Sequence, residues 1–142
     1  MTEGAKRLRV PAQADFLQQL RTLVRECAEA TGFHQDGVEQ LVLAVNEACM
    51  NVIQHGYRGQ PGSIELHIIP IVDGIEFRVH DSAQKVSLDD WRPRALDDLR
   101  PGGLGVHFIR EIMDDVEYVP VADGVGNLLS MKKYLRDGKT SA

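Results

Sequence analysis

The chain has 142 residues and a formal net charge of −5, from 21 acidic and 16 basic side chains. This length is typical of one domain and is enough to bury a core, and its 43% hydrophobic and 26% charged residues are proportions of an ordinary soluble globular protein. No apolar run approaches the roughly 18 residues that a membrane span requires, and no basic stripe typical of nucleic-acid binding is present. The acidic balance instead favours a protein or nucleotide partner.

The N-terminus and the two cysteines bear on where the protein resides. Residues 1–15 include basic side chains but no apolar stretch behind them, so we expect no secretory signal. Cys27 and Cys49 lie on apolar helical stripes and do not have the spacing of metal ligands. Buried thiols are typical of a reducing compartment, and we therefore expect a cytoplasmic protein.

The first part of the chain is predicted to be mainly helical, after a candidate strand at residues 8–10. Apolar residues recur at helical spacing from about residue 13 to residue 30, and Gly32 marks the end of that helix. A second helix is predicted from about residue 36 to residue 54, with Gly56 as its C-terminal signal.

The apolar period then changes from that of a helix to that of a strand. Apolar residues alternate with polar ones in residues 64–68 and again in residues 75–79. Asp73-Gly74 lies between these two runs and is a dipeptide favoured in tight hairpin turns. The pattern predicts two adjacent antiparallel strands.

The remainder of the chain is predicted to be a loop, a helix and a closing hairpin. Residues 82–103 lack apolar periodicity, and so long a loop in a small domain is usually functional. Residues 104–113 predict a third helix, and residues 116–121 and 128–135 a hairpin around Asp123-Gly124. The order of elements predicts a single α+β domain over residues 1–142. We expect a two-layer sandwich in which a mostly antiparallel mixed sheet carries helices on one face.

Glu47 and Asn51 are candidates for chemistry because their spacing of four puts both side chains on one face of the second helix. A carboxylate can take a hydroxyl proton, and an amide oxygen is a hard ligand suited to magnesium. The alternative is that both are solvated surface residues, and the spacing alone favours that alternative.

The glycine-rich run Pro101-Gly102-Gly103-Leu104-Gly105 stands at the start of the third helix. Glycines there let backbone amides approach an anion, and the helix dipole favours negative charge. The run is a candidate phosphate cradle; the alternative is a flexible hinge before a permissive helix start. It is not a Walker motif, since the Lys-Ser or Lys-Thr of that motif is missing.

Two further residues could line a binding site. Asp81 ends the second predicted strand, where its carboxylate could accept a hydrogen bond from an exocyclic amine such as that of adenine, or could cap a turn beside Ser82. His55 precedes Gly56 and could hold the helix end or face the same pocket, capping being favoured. The other histidines of the strands and third helix form no metal-ligand set: His67, His80 and His107.

The order and spacing of these features resemble the ATP-binding domain of the GHKL superfamily, which includes gyrase, Hsp90, histidine kinases and MutL. The chain is most similar to the small stand-alone anti-sigma-factor serine/threonine kinases of bacteria. The resemblance covers nearly the whole chain. It is carried by LAVNEACMNVIQHGY (residues 43–57), GGLGVHFIREIMDDVEY (102–118) and GNLLSMKKYL (126–135).

The resemblance implies a role for each matching position and implies ATP and Mg²⁺ as cofactors. Glu47 is expected to be the general base, Asn51 the magnesium ligand and Asp81 the partner of the adenine amino group. The phosphates are expected at the glycine-rich helix start, under a mobile lid formed by residues 82–103. Ser130, where the family usually has Thr, is expected to support the adenine. The full expected nucleotide-binding set is Asn51, His55, Asp81, Ala83, Gly102, Gly103, Leu104, Gly105, Val106 and Ser130.

One position departs from the family pattern. After the aspartate the family usually has Asp-x-Gly, whereas this chain has Asp81-Ser82-Ala83. Glycine permits close approach of the backbone to the purine, and Ala83 adds a methyl group. A nucleotide-dependent binding switch without kinase activity therefore stands as an alternative to a kinase.

The resemblance also implies partners. A kinase of this type would phosphorylate a serine or threonine of a small STAS-type antagonist protein and would sequester a sigma factor. The family further suggests a homodimer. Direct contact with nucleic acid or with a membrane is not expected.

Overall fold

The computed structural model describes residues 4–83, 103–122 and 124–135. Eight regular elements follow in chain order: β1 (Lys6–Pro11), α1 (Leu17–Thr31), α2 (Gln35–Asn51), β2 (Ser63–Ile71), β3 (Gly74–Asp81), α3 (Gly103–Ile112), β4 (Asp115–Val119) and β5 (Asn127–Tyr134). A 3₁₀ turn (Ala14–Phe16) precedes α1, and a π-helical turn (Val52–Tyr57) follows α2. The predicted order of helices and strands is confirmed.

The five strands form one sheet in the order β1-β2-β3-β5-β4, and every pairing among them is antiparallel. β5 lies between β3 and β4, so the strand that begins the closing hairpin stands at the edge of the sheet. The α+β architecture is as predicted, although no parallel pair occurs in the described sheet.

Alternation along the strands gives the sheet one apolar and one polar face. The core face of β2 and β3 carries fully buried apolar side chains, which are Ile64, Leu66, Ile68, Ile75, Phe77 and Val79. The helices cover this face, since α1 contacts β2 and β3 and α2 contacts β3. The opposite face carries charged and polar side chains, among them Glu65, His67, Arg78 and His80.

α1 and α2 pack side by side and are tied by a bidentate ion pair. The Nε and Nη2 atoms of Arg25 donate to the two carboxylate oxygens of Glu39 at 3.0 Å each. α1 ends at Thr31 because Gly32 adopts the left-handed conformation (φ 113°) and its N–H closes the last turn on Ala28 and Glu29. This is the stop that the sequence predicted.

The first hairpin turns one residue earlier than predicted. Ile71 and Gly74 form the last pair of β2 and β3, so Val72 and Asp73 make the turn, with Asp73 at φ 57°. Gly74 serves a different purpose: a Cβ there would overlap the carbonyl oxygen of Lys133 on β5. The glycine permits close strand packing and does not supply the turn conformation.

Other expectations concern the helices and the loop. α2 was predicted to run to residue 54, but it ends at Asn51, where the backbone widens into the π-helical turn. Most of the predicted 82–103 loop lies outside the described residues, which stop at Ala83 and resume at Gly103. Among the described helices, none is both long and apolar enough to cross a membrane.

Candidate functional site

The C-terminal half of α2 separates an apolar face from a polar edge. Its inward positions are fully buried against the core: Ala44, Val45, Ala48 and Cys49. Glu47 and Asn51 are only half-buried and lie one turn apart on the same side of the helix. No hydrogen bond or ion pair joins Glu47 to another described residue. The helix thus presents a carboxylate and a carboxamide together, as predicted from their spacing.

The Asn51 side chain has an unmet hydrogen-bonding need. Its Nδ2 atom is buried and has no partner among the described residues. An unsatisfied buried donor costs roughly 1–3 kcal/mol, and natural structures hold few such groups without a reason. The unpartnered Nδ2 atom is suited to a ligand that brings a hydrogen-bond acceptor.

Asp81 lies at the end of β3, on the core face of the sheet. It is 6% exposed, and its direct cross-strand neighbours are Ile64 on β2 and Asn127 on β5. Its Oδ1 atom accepts two hydrogen bonds, from the backbone N–H of Ala83 at 2.8 Å and from Nδ2 of Asn127 at 3.1 Å. One carboxylate oxygen is therefore committed to the protein.

Burial dominates the electrostatics of Asp81. Desolvation raises the pKa of this carboxyl above its usual value, against the hydrogen bonds from Asn127 and Ala83 and the charge of His80, which act in the opposite direction. The two N–H donors favour the ionised form. The carboxylate is thus a desolvated acceptor, which strengthens any hydrogen bond that its second oxygen accepts.

Asn127 is a site residue that the sequence analysis did not identify. It is 5% exposed and opens β5, immediately after Gly126. Gly126 adopts φ 78°, and a Cβ there would overlap the carbonyl oxygen of Asp81. Only glycine permits this close passage of the chain, which brings the Asn127 amide onto the Asp81 carboxylate. The available sequence signal was an asparagine directly after Gly126 and directly before the last predicted strand.

The structure corrects the placement of Ser130. Ser130 stands three residues after Asn127 on the same strand, and successive strand residues point to opposite faces. Its hydroxyl donates to Oε2 of Glu76 at 2.6 Å, where Nε of Arg78 also donates at 2.7 Å. Ser130 thus belongs to the polar face of the sheet, away from Asp81, and it does not form part of the proposed site.

Burial and hydrogen bonding have opposite effects on the pKa of Glu76, the carboxyl that Ser130 contacts. Burial acts to raise the pKa of Glu76, but the hydrogen bonds from Ser130 and Arg78 and the charges of Arg78 and Lys132 outweigh it and hold that pKa below its usual value. This network stabilises the polar face of the sheet.

The π-helical turn contacts the segment that follows Asp81. Ala83 is 9% exposed, and a Cβ on Gly56 would lie 3.1 Å from the Cβ of Ala83. The extra methyl of this chain is therefore packed against the helix end. His55 lies in the same turn and is exposed, with a further interaction to a neighbouring group.

The glycine-rich run contributes the first turn of α3, which begins at Gly103 and continues through Leu104, Gly105 and Val106. α3 packs against α2, so the start of one helix and the polar edge of the other belong to the same layer. Gly102 lies outside the described residues. The helix start leaves backbone N–H groups suited to an anion.

A magnesium ion at this site would require oxygen ligands. The described residues contain no cluster of three or more His, Cys, Asp or Glu side chains that could hold a metal ion. Magnesium bound with a nucleotide keeps several waters and takes few protein ligands besides phosphate oxygens. The half-buried Asn51 carboxamide fits that role through its Oδ1 atom, an oxygen ligand of the kind that magnesium takes, while its unpartnered Nδ2 atom can donate to a phosphate oxygen or a metal-bound water.

Comparisons with known proteins identify the family. The family described as histidine kinase-like ATPase domain matches residues 10–133. The chain is 33% identical over 135 residues to serine-protein kinase RsbW of Halalkalibacterium halodurans, covering 89% of this chain and 81% of that protein. It is 27% identical over 137 residues to serine-protein kinase RsbW of Bacillus cereus, covering 91% and 84%.

Two solved structures share the fold. The RsbU and RsbW domains of a Mycobacterium tuberculosis protein superpose with a TM-score of 0.62 at 16% identity, covering 91% of this chain and 32% of that one. The histidine kinase domain of a blue-light-activated kinase from Erythrobacter litoralis gives 0.56 at 16% identity, covering 92% and 64%. The chain thus spans less than two thirds of either structure. With the family match over most of its length, the chain belongs to the histidine kinase-like ATPase domain family.

Proposed function

We propose that this chain is an ATP-dependent protein serine/threonine kinase of the anti-sigma-factor type. In this proposal it transfers the γ-phosphoryl group of ATP to a serine or threonine of a small STAS-type antagonist and sequesters a sigma factor, as a cytoplasmic homodimer. The observation that carries the proposal is the buried Asp81 carboxylate, with Oδ1 held by two protein donors. The RsbW names of the similar proteins support the kinase class.

Asp81 would recognise the base. Since Oδ1 is committed to Ala83 and Asn127, Oδ2 is the oxygen that would accept a hydrogen bond from the exocyclic amine of adenine. A base with a carbonyl oxygen at that position would place this oxygen next to Oδ2 of Asp81, and two acceptors without a proton between them repel each other. A buried polar site of this kind rejects an analogue that lacks the matching donor far more strongly than an apolar pocket does.

Asn51 and the start of α3 would hold the phosphates and the magnesium ion. The Asn51 carboxamide would coordinate the metal through its oxygen, and the backbone N–H groups around Gly103 and Gly105 would donate to phosphate oxygens. Bound magnesium would supply positive charge against the phosphates. The lid expected over residues 82–103 remains part of the proposal, with Ser82 and Ala83, which are hydrogen-bonded to Tyr57 and Asp81, as its fixed base.

Glu47 would act on the acceptor hydroxyl. As the acceptor oxygen forms its bond to the γ-phosphorus, the bond from that phosphorus to the β–γ bridging oxygen breaks, and ADP leaves. The hydroxyl proton passes to the Glu47 carboxylate, which is half-buried and not hydrogen-bonded to other described residues. Such a general base contributes about 10²–10⁴-fold to the rate.

The second candidate function is a nucleotide-dependent binding switch without kinase activity. The replacement of the family glycine by Ala83 favours it, because a methyl beside the purine would obstruct the base. The packing of Ala83 against Gly56 weakens that argument, since the methyl is buried at the helix end. The kinase is therefore the better supported proposal.

The experiment that separates the two functions compares Glu47→Gln with the wild type. Labelled ATP, magnesium and a panel of STAS-type antagonists would report phosphoryl transfer, and calorimetry would report ADP affinity. We expect transfer to fall at least about 10²-fold and ADP affinity to stay within about threefold. Glu26→Gln, an equal loss of charge at an exposed position of α1, is the matched control.

Two outcomes would contradict the kinase proposal. Firm ATP binding by the wild type with no transfer to any antagonist would favour the binding switch. Loss of ADP binding in Glu47→Gln would make Glu47 a ligand of the nucleotide complex instead of a base.

A further inference from the structure

Tyr57, the last residue of the π-helical turn, connects that turn to two strands through its hydroxyl group. The hydroxyl donates to the carbonyl oxygen of Ser63 at 2.8 Å and accepts from the backbone N–H of Ser82 at 2.8 Å. Both bonds have ordinary lengths, and together they use the donor and one acceptor position of the phenol.

The ring of Tyr57 has little freedom to move. It is half-buried and packs against the hydrophobic core. A Cβ on Gly62 would overlap the ring, so Gly62 provides the space that the ring occupies. The hydroxyl is therefore held in place by packing as well as by its hydrogen bonds.

The position of the hydroxyl in the sheet explains why β3 ends where it does. The register of β2 and β3 pairs Ile64 with Asp81 and Glu65 with His80, so the next pair would be Ser63 with Ser82. The Tyr57 hydroxyl stands between the two groups of that pair. A side chain thus replaces a backbone hydrogen bond of the ladder, and the chain leaves β2 directly after Asp81.

The divergence of the chain sets the environment of Asp81. Ser82 is held by Tyr57, and the next residue, Ala83, donates its N–H to Oδ1 of Asp81. Gly56, which precedes Tyr57, packs against the methyl of Ala83. Two consecutive residues of the π-helical turn therefore fix the two residues that follow Asp81.

We propose that Tyr57 is a positioning residue for base recognition: its hydroxyl holds Ser82 so that Ala83 keeps Oδ1 of Asp81 occupied and leaves Oδ2 directed to the exocyclic amine of the base. The inference rests on the proposed function, in which Asp81 recognises adenine. Tyr57 itself does not touch the nucleotide. Ser82 is exposed, so water can replace the lost hydrogen bond in a variant, but water does not fix the position of Ala83.

The test compares binding of ADP with binding of IDP, which differs in carrying a carbonyl oxygen in place of the exocyclic amine. IDP also carries a proton on the neighbouring ring nitrogen N1, which adenine lacks. In Tyr57→Phe the ring remains and only the hydroxyl is removed. We expect ADP affinity to fall about tenfold, which corresponds to the loss of one ordinary hydrogen bond between Asp81 and the base, while IDP affinity changes little. The ratio of the ADP affinity to the IDP affinity should therefore fall. The lost hydrogen bonds of Tyr57 should lower the melting temperature by a few degrees, but a loss of stability alone would not change that ratio.

Two further variants sharpen the test. Ser82→Pro removes the N–H at the other end of the same hydrogen bond and should reduce the ratio in the same direction. Ser130→Ala is the matched control, because it removes a hydroxyl that donates to a buried carboxylate on the polar face of the same sheet, and it should leave the ratio unchanged.

The outcomes distinguish this inference from the proposed function. A wild type that discriminates between ADP and IDP, with a Tyr57→Phe variant that discriminates equally well, would overturn the role of Tyr57 alone. Equal losses of ADP and IDP binding, with a lower melting temperature, would show a purely structural role and also overturn it. A wild type that binds ADP and IDP equally would overturn both proposals.

Discussion

Gly56 and Ala83 face each other where the π-helical turn meets the end of β3: a Cβ on Gly56 would lie 3.1 Å from the Cβ of Ala83. A glycine in the helix end thus makes room for the methyl that this chain carries in place of the family glycine. The small residue at position 56 and the methyl at position 83 therefore fit together.

Ala83→Gly is expected to lower stability without improving nucleotide binding. The variant loses a buried methyl and gains backbone freedom, which together cost about 1 kcal/mol of the free energy of unfolding. ATP affinity should stay within about threefold, since the methyl is packed against the helix end. Denaturant unfolding and calorimetry measure the two quantities, and a tenfold gain in ATP affinity would show that the methyl obstructs the base.

Gly56→Ala is expected to be destabilising only while Ala83 is present. A new methyl at 3.1 Å from the Ala83 methyl requires the turn and the segment after β3 to separate by a few tenths of an ångström. Overpacking of this kind costs roughly 1–3 kcal/mol, against the roughly 1 kcal/mol that alanine gains over glycine in a helix. In the Ala83→Gly background the same change should be tolerated. The interaction energy from a double-mutant cycle measures this coupling, and additive effects of the two changes would mean that the residues do not touch.

Asn127→Leu is expected to weaken ADP binding, because Oδ1 of the buried Asp81 loses a donor. Hydrogen bonds to charged groups are worth about 1.5–3 kcal/mol, so we expect at least about a tenfold loss of ADP affinity. Ser130→Ala should lower only the free energy of unfolding, since Ser130 contacts Glu76 on the other face. Loss of ADP affinity in Ser130→Ala, with none in Asn127→Leu, would reverse this assignment.

Asp81→Asn is expected to raise stability at neutral pH while it reduces ADP affinity on the order of 10-fold to 100-fold. The pKa of Asp81 is raised in the folded protein, mainly by burial, so the ionised form is less favourable folded than unfolded. The wild type should therefore lose stability as the pH rises from 3.8, the ordinary value, through the raised folded pKa. The free energy of unfolding of the variant should not fall over this pH range, and unfolding curves measured across the range would show the difference. A variant that is less stable than the wild type at pH 7 would contradict the expected direction of the change.

Asn51→Ala is expected to leave the protein folded without nucleotide, because the change removes a buried donor that has no partner among the described residues. Removal of that unsatisfied donor raises the free energy of unfolding, and this offsets part of the stability that is lost with the packing of the side chain. Nucleotide affinity should fall and should lose most of its dependence on magnesium. Calorimetric titration with and without magnesium checks this, and an unchanged magnesium dependence would remove Asn51 from the proposed site.

The spacing of apolar residues predicted the helices and strands well, because an element that is buried on one side needs apolar residues at regular positions on that side. The apolar alternation in residues 64–68 and 75–79 is typical of strands with one covered face, and those strands are present. Local exceptions were less predictable. The π-helical turn after Asn51 and the turn at Val72-Asp73 depend on contacts with distant residues, such as Lys133 against Gly74.

The residues of the candidate site show the same difference between local features, which the sequence predicts, and contacts between distant residues, which it does not. The joint placement of Glu47 and Asn51 follows from helical spacing within one element, and the sequence predicted it. The partner of Asp81 depends on the register between two strands 46 residues apart in sequence, which no local pattern reveals. Ser130 was selected because the resemblance matched it to the Thr that the family usually has, whereas the register brings Asn127 to the carboxylate.

The position of β5 between β3 and β4 has a consequence for the order in which the protein assembles. During synthesis α1, α2, β2 and β3 are complete long before residues 127–134 leave the ribosome, yet one edge of β3 stays unpaired until they do. Closing the connection between β3 and β5 is a non-local step with an entropic cost. Asp81 acquires its Asn127 partner only at that step. Nucleotide binding should therefore report that the sheet has closed, and nascent chains that end before residue 127 should lack it.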